Sequence, residues 1–322
     1  MGRRGAAGFS VTTLVCLGLG YVAQHYAGLY GARFDRIVGT TRSAESAAAI
    51  GALRFGGRAM EMVVFDAAPA APAPPALLSA IADASALLVS IAPHAGADPV
   101  LAHMREAIAA APRLGSIVYL STIAVYGNHD GAWIDETTPL APTLARAGDR
   151  VAAERAWAAL GETRGIAVAL IRVAGIYGPG ASALESVKSG RSRRIVKPGQ
   201  VFNRIHVADL AQIIDCAIAR RATGAFNAAD DEPSAPGDPI AFAASLLGVP
   251  PPPEVAFEEA KPTMSPMAQS FYADSKRVRN DRIKRALGVT LRYPTYREGL
   301  RGLKSSPDER SGIRGGQCRR QG

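Results

Sequence analysis

Thr12-Thr13-Leu14-Val15-Cys16-Leu17-Gly18-Leu19-Gly20-Tyr21-Val22-Ala23 is an apolar run that breaks into G-x-G-x-x-A where a helix should open. The run predicts a buried strand over Leu14–Leu17 and a helix continuing to about Tyr30. Glycine at 18 permits a tight turn, glycine at 20 lets a ligand approach the backbone, and Ala23 still allows close helix–strand packing. At the helix start, Gly20, Tyr21 and Val22 offer unpaired N–H groups at the positive end of the helix dipole, an arrangement that takes a pyrophosphate. Gly18, Gly20, Tyr21 and Val22 are therefore candidate cofactor contacts. The competing interpretation is a tight structural turn with no ligand.

Outward from this point, apolar strands alternate with alanine-rich helical stretches. Strands are expected at Arg36–Val38, Met62–Phe65, Leu87–Ile91, Ser116–Leu120 and Val168–Arg172. Helices are expected at Ala44–Leu53, Ala76–Ala84, Pro99–Ala110, capped by Asp98, and Val151–Leu160. This order predicts an α/β fold with a doubly wound, Rossmann-like parallel sheet and ligands outside the strand carboxyl ends. The dinucleotide-binding domain is placed at 10–172. A smaller substrate-facing region, added in part to the sheet, occupies 173–303, with helices at Val207–Ile218, Pro239–Leu247 and Lys276–Leu287. Residues 304–322 are expected to form a disordered basic tail.

The chain has 322 residues, a net charge of +9 and a hydrophobic fraction of 48%, enough for a sizeable core. Arginine supplies 31 of its 37 basic residues, which fits a compositional bias and a solvated basic surface. Aromatic residues are sparse and no recognition helix is evident, so nucleic acid is not an expected partner. No apolar stretch is long enough to predict a membrane span. Arg3 and Arg4 precede an apolar stretch, but the glycine fingerprint falls where a signal cleavage site would lie. Cys16, Cys216 and Cys318 form no C-x-x-C pair, which predicts neither a disulfide framework nor a metal site and fits a reducing cytoplasm.

The second strand bears on cofactor choice. An NAD site places Asp or Glu about twenty residues after the glycines, to hold the ribose 2′-hydroxyl. Here the sequence is Gly39-Thr40-Thr41-Arg42-Ser43. Arg42 and the hydroxyls beside it suit a 2′-phosphate, so NADP is expected over NAD. Asp66, ending the third strand, could meet the adenine amino group or cap a turn. Ser90, in Ser90-Ile91-Ala92-Pro93-His94, lies near the expected cofactor edge, and His94 there is either a titrating group or a solvated loop residue.

Three further motifs carry a family resemblance. They are Tyr119-Leu120-Ser121-Thr122-Ile123-Ala124-Val125-Tyr126-Gly127, Arg172-Val173-Ala174-Gly175-Ile176-Tyr177-Gly178-Pro179-Gly180 and Arg204-Ile205-His206-Val207-Ala208-Asp209. With the glycine fingerprint they resemble the extended short-chain dehydrogenase/reductases, relatives of nucleotide-sugar epimerases and dehydratases. The resemblance runs over roughly residues 12 to 300. It implies that Thr122 polarises a substrate carbonyl, that the Arg204 segment meets substrate phosphate, and that a homodimer forms. Arg204 is read either as a contact to an anionic substrate or as a surface ion pair, and Tyr177 as a candidate substrate contact; Tyr126 and Tyr177 are read either as substitute proton donors or as packing residues. Ser121 should face away from Thr122, because strand side chains alternate.

One departure stands out. The family's Tyr-x-x-x-Lys pair falls on Arg146 and Arg150 when Ala152-Ala153-Glu154 is aligned with that family's usual helix. An arginine stays charged near neutral pH and does not donate a proton, although Arg150 can still hold the nicotinamide ribose or a phosphate. The chain thus resembles the atypical subgroup of the superfamily. Two functions remain open: an NADP-dependent oxidoreductase or epimerase-like enzyme on a small polar or nucleotide-sugar-like substrate, and a non-catalytic NADP(H)-sensing regulator.

Overall fold

Alternation along β1 (Thr13–Leu17) sends Leu14 and Cys16 to one face of a sheet and Val15 and Leu17 to the other. Both faces are covered, which is why the strand reads as a continuous apolar run. The computed structural model describes residues 12–305 apart from Gly56, Pro69, Ala70 and Arg191. The supposed signal start, most of the basic tail, Cys318 and Arg191 lie outside the described residues.

Six further strands complete a parallel sheet: β2 (Arg36–Thr41), β3 (Glu61–Val64), β4 (Ala86–Val89), β5 (Ser116–Thr122), β6 (Ala167–Val173) and β7 (Gly224–Ala228). Their spatial order is β7-β6-β5-β4-β1-β2-β3, with every neighbouring pair parallel. The order reverses between β1 and β4, so the crevice at their carboxyl ends is the topological switch point of the doubly wound α/β sheet.

On one face, α1 (Tyr21–Tyr30) packs Tyr26 and Tyr30 with Leu210, Ile213 and Ile214 of the helix Val207–Ala219. On the other, α3 (Pro75–Asp83), α4 (Pro99–Ala110) and α5 (Ala145–Arg164) contribute Leu77, Ile81, Met104 and Trp157. The helix α2 (Ala44–Gly51) lies beyond β2, with Ser43 accepting from Ser46 N as its cap. Each large apolar side chain fully buried in this way contributes about 1.5–3 kcal/mol relative to exposure. Asp98 caps α4 through Val100 N and Leu101 N, as its sequence position predicts, and its second oxygen accepts from Trp157 Nε1 at 3.0 Å. Cys16 and Cys216 are buried and form no disulfide among the described residues; burial pushes the Cys16 thiol up to about 12, so it packs as a small hydrophobe.

Several boundaries differ from expectation. β2 extends to Thr41 and β5 to Thr122, because Thr40 and Thr122 continue the parallel ladders. Helix α5 starts six residues before Val151 and includes Gly148. The helix expected from Lys276 begins only at Asp281; Arg277 and Val278 instead pair with Trp133 and Ile134 as a short parallel strand. That correction places Lys276 in a buried extended segment.

Candidate functional site

The Gly18–Gly20 turn is held from two sides. Gly18 N donates to Thr40 Oγ1 at 2.8 Å, Leu19 N donates to Thr40 O, and Ser90 Oγ donates to Gly18 O at 2.5 Å. Gly18 has φ +93°, and a Cβ there would lie 2.7 Å from Ser90 Oγ. Gly20 is different: it is exposed, has ordinary extended backbone, and a Cβ on it would meet nothing within 4 Å. It opens α1 without a side-chain cap or a first-turn acid, leaving the N–H groups of that turn facing an open cradle. This geometry fits a dinucleotide pyrophosphate. Tyr21 turns its ring aside, tilted against His25 and donating to Pro179 O at 3.0 Å, while Val22 packs into the core.

Arg42 stands exposed just beyond β2 with no ion-pair partner among the described residues. Thr41 and Ser43 are engaged locally, Thr41 Oγ1 donating to Ser43 O. Asp66 is exposed, and its carboxylate accepts from Ala68 N at 3.0 Å, forming a turn cap. His94 is exposed in a small loop whose backbone pairs with Ala97.

A cavity of about 380 Å³ forms where β4, β5 and β6 end. Ala92 and Pro93 follow β4, Thr122 to Ala124 end β5, and Val173 to Gly175 end β6. The N-terminal half of α5 adds Arg146 and Arg150. Ser121 Oγ points the other way, to Glu154 at 2.5 Å, so the pleat directs Thr122 to the cavity. Thr122 Oγ1 accepts from Ala124 N at 3.2 Å, which leaves its own hydroxyl proton available for donation. Arg150 donates to Leu120 O at 2.5 Å and to Tyr119 Oη at 3.1 Å, and covers the Tyr119 ring. Arg146 donates to Ser270 Oγ at 2.5 Å and lies over Phe271 at the mouth.

The structure does not bring Arg204 or Tyr177 to this cavity. Arg204 donates to Phe202 O and Ser234 Oγ and stacks over Tyr296. Tyr177 is buried against His206 and the backbone of Gly299. Tyr126 is also taken up in packing: it donates to Asn227 Oδ1 at 2.7 Å and accepts from Arg172. Burial pushes its hydroxyl up to about 12. Asp209 accepts from Arg292 N and Tyr293 N, pinning the chain after the last sheet strand.

His206 is wholly buried between Tyr177 and Tyr293, with Nδ1 accepting from Ala208 N. Burial pulls it down to about 3. The neutral ring therefore stabilises the fold above the unfolded histidine value of about 6.5, and this contribution is lost as pH falls toward about 3. Between about pH 7 and pH 5, the stability difference between the wild-type protein and His206→Asn should shrink by roughly 2 kcal/mol, measured by urea unfolding. A difference independent of pH would contradict a neutral buried ring.

The cavity's far wall has no signal in the sequence. Asn203, Asp274 and Lys276 line it with Val201, Phe202 and Phe271. Lys276 is buried and Asp274 partly so, and they face each other at 3.5 Å. The basic character of Lys276–Arg285 is visible in the sequence, but its expected helical start hides the inward-facing lysine. Among the described residues no group of three or more His, Cys, Asp or Glu side chains could hold a metal, and no helix is long and apolar enough to cross a membrane.

Comparisons with known proteins agree with this architecture. A protein of unknown function from Silicibacter pomeroyi DSS is 45% identical, with TM-score 0.81 over 92% of this chain and 99% of that one. A dTDP-glucose 4,6-dehydratase from Bacillus anthracis, solved with NAD, shares the fold at 16% identity and TM-score 0.71, over 93% of this chain and 98% of that one. A 3-diazoavenalumate denitrifying reductase from a Streptomyces species is 26% identical over 137 residues, 41% of this chain. That match spans only 45% of the reductase's length. Residues 85–229 match the family model described as NAD dependent epimerase/dehydratase family. Over that segment, which carries the ends of β4, β5 and β6 and the cavity-facing half of α5, the chain is similar to the NAD dependent epimerase/dehydratase family.

Proposed function

We propose that the protein is an NADP(H)-dependent oxidoreductase acting on a small polar carbonyl or hydroxyl compound. The observation that carries this reading is that the open Gly18–Gly20 cradle at the switch point and a cavity into which Thr122 presents its hydroxyl proton both form at the carboxyl ends of the sheet's strands. The bound cofactor would supply or accept hydride. Thr122 would donate a hydrogen bond to the reacting oxygen, and Arg150, fixed by Leu120 O and Tyr119, would hold the cofactor ribose or phosphate. Exclusion of water falls to the apolar cavity walls.

The inward turn of Arg204 and Tyr177 favours a compact substrate over a nucleotide sugar, since neither is free to grip a nucleotide phosphate. Arginines at both positions of the proton-transfer pair favour a second reading, an NADP(H)-binding regulator. A carbonyl-compound screen followed by NADPH absorbance separates the two: turnover of any substrate supports the enzyme, and NADPH binding without turnover supports the regulator.

Arg42 is expected to select NADP through the 2′-phosphate. Loss of a charge-assisted contact of about 1.5–3 kcal/mol predicts that Arg42→Ala weakens NADPH binding roughly 10- to 100-fold and barely changes NADH. Fluorescence titration with both cofactors measures this. Equal weakening of the two would remove the basis for NADP preference.

A further inference from the structure

The cavity lining is unbalanced in charge: Arg146, Arg150 and Lys276 face one carboxylate, Asp274. Arg150 is already committed to Leu120 O and Tyr119. Lys276 is not comparably satisfied. Its side chain is only 6% exposed, and its one partner among the described residues is Asp274, at 3.5 Å. An ammonium carries three donors, so two remain without a partner in a site that costs free energy to charge.

The backbone keeps this lysine in place. Asn203 Nδ2 donates to Lys276 O at 2.9 Å, and Val278 N donates to Asn203 Oδ1 at 2.8 Å. Gln200 Nε2 holds Asp274 O at 2.7 Å. A single asparagine thus holds the chain at Lys276 and Val278, either side of Arg277, and pairing of Arg277 and Val278 with Trp133 and Ile134 anchors it further. Burial also pulls the lysine below its ordinary value, with Asp274 opposing that shift, so an additional anion would favour its charged form. Between Lys276 and Arg146 at the mouth, Ile123, Leu144, Val201, Phe202 and Phe271 give the cavity an apolar wall.

We propose that this cavity binds a compact organic carboxylate with an apolar body, Lys276 anchoring the carboxylate and Arg146 guiding it at the mouth. A carboxylate would fill the lysine's open donors, while the hydrocarbon body would cover the aromatic and aliphatic wall. The inference rests on the oxidoreductase reading only in naming this ligand the substrate; binding itself is independent of turnover.

The test is calorimetric titration of the full chain with benzoate, with benzamide as its neutral counterpart, and with inorganic phosphate, each in the presence and absence of NADPH. Benzoate should bind at least about tenfold more tightly than benzamide or phosphate. Lys276→Met should abolish that preference while leaving benzamide binding unchanged, with folding checked by thermal unfolding. If that variant does not fold, the exposed position of Arg146 offers Arg146→Gln, which should lose most of the preference. Equal binding of benzoate and benzamide, no benzoate binding, phosphate binding as tight as benzoate, or an unchanged preference in a folded variant would each overturn the proposal. Absence of NADPH binding alone would overturn the cofactor reading and leave the carboxylate result standing.

Discussion

Glu154→Ala should destabilise the protein by about 3–5 kcal/mol in urea unfolding, because it leaves a buried guanidinium without its counter-ion. Glu154 lies on α5 facing the sheet. It accepts from Ser121 Oγ on β5 at 2.5 Å and from Arg172 Nη2 on β6 at 2.8 Å. Arg172 reaches on to Tyr126, and Tyr126 to Asn227 of β7. The network therefore ties α5 to three adjacent strands at the end where the cavity forms. Both charged side chains are less than a tenth exposed, so water cannot replace the lost partner. The double variant Glu154→Ala, Arg172→Met should recover a substantial part of the loss, since it removes the stranded charge as well. Additive losses would mean that the pair contributes through packing and not through charge neutralisation. Activity alone would be a poor readout, since the same glutamate also holds the sheet edge beside Thr122.

Much of this arrangement was legible because its parts are local in sequence. The strand–glycine–helix pattern at Leu14–Ala23 places the cradle, and the V-Y-G stretch places Thr122 at the end of β5. Periodicity finds six of the seven sheet strands, but the seventh, Gly224–Ala228, is short and opens with glycine, so its pairing with β6 appears only in three dimensions. Long-range contacts defeat the sequence elsewhere too. Arg204 resembles a substrate contact until Ser234 and Tyr296 are seen to hold it, and Lys276 resembles a helix start until Asn203 fixes it as extended chain. In both cases the role of a basic residue is decided by partners some 30 to 90 residues away.

Gly20→Thr should abolish NADPH binding while leaving the ligand-free stability within about 0.5 kcal/mol of wild type, since threonine and glycine are nearly equivalent helix N-caps. The two glycines of the turn are expected to behave differently, and the contrast is the test. Gly18→Ala forces a side chain into a backbone at φ +93° and against Ser90 Oγ, so it should cost about 1–3 kcal/mol of stability as well as binding. Gly20 needs neither unusual backbone nor space for the fold itself. A threonine there would occupy the cradle and offer its own oxygen to the first-turn N–H groups of α1, displacing a phosphate from both. In thermal or urea unfolding, saturation at about 100 times Kd adds about 2.7 kcal/mol to the wild-type protein, and this increment should vanish in Gly20→Thr. A Gly20→Thr protein that still gains stability from NADPH would show that the turn is structural, and the cofactor would have to lie elsewhere.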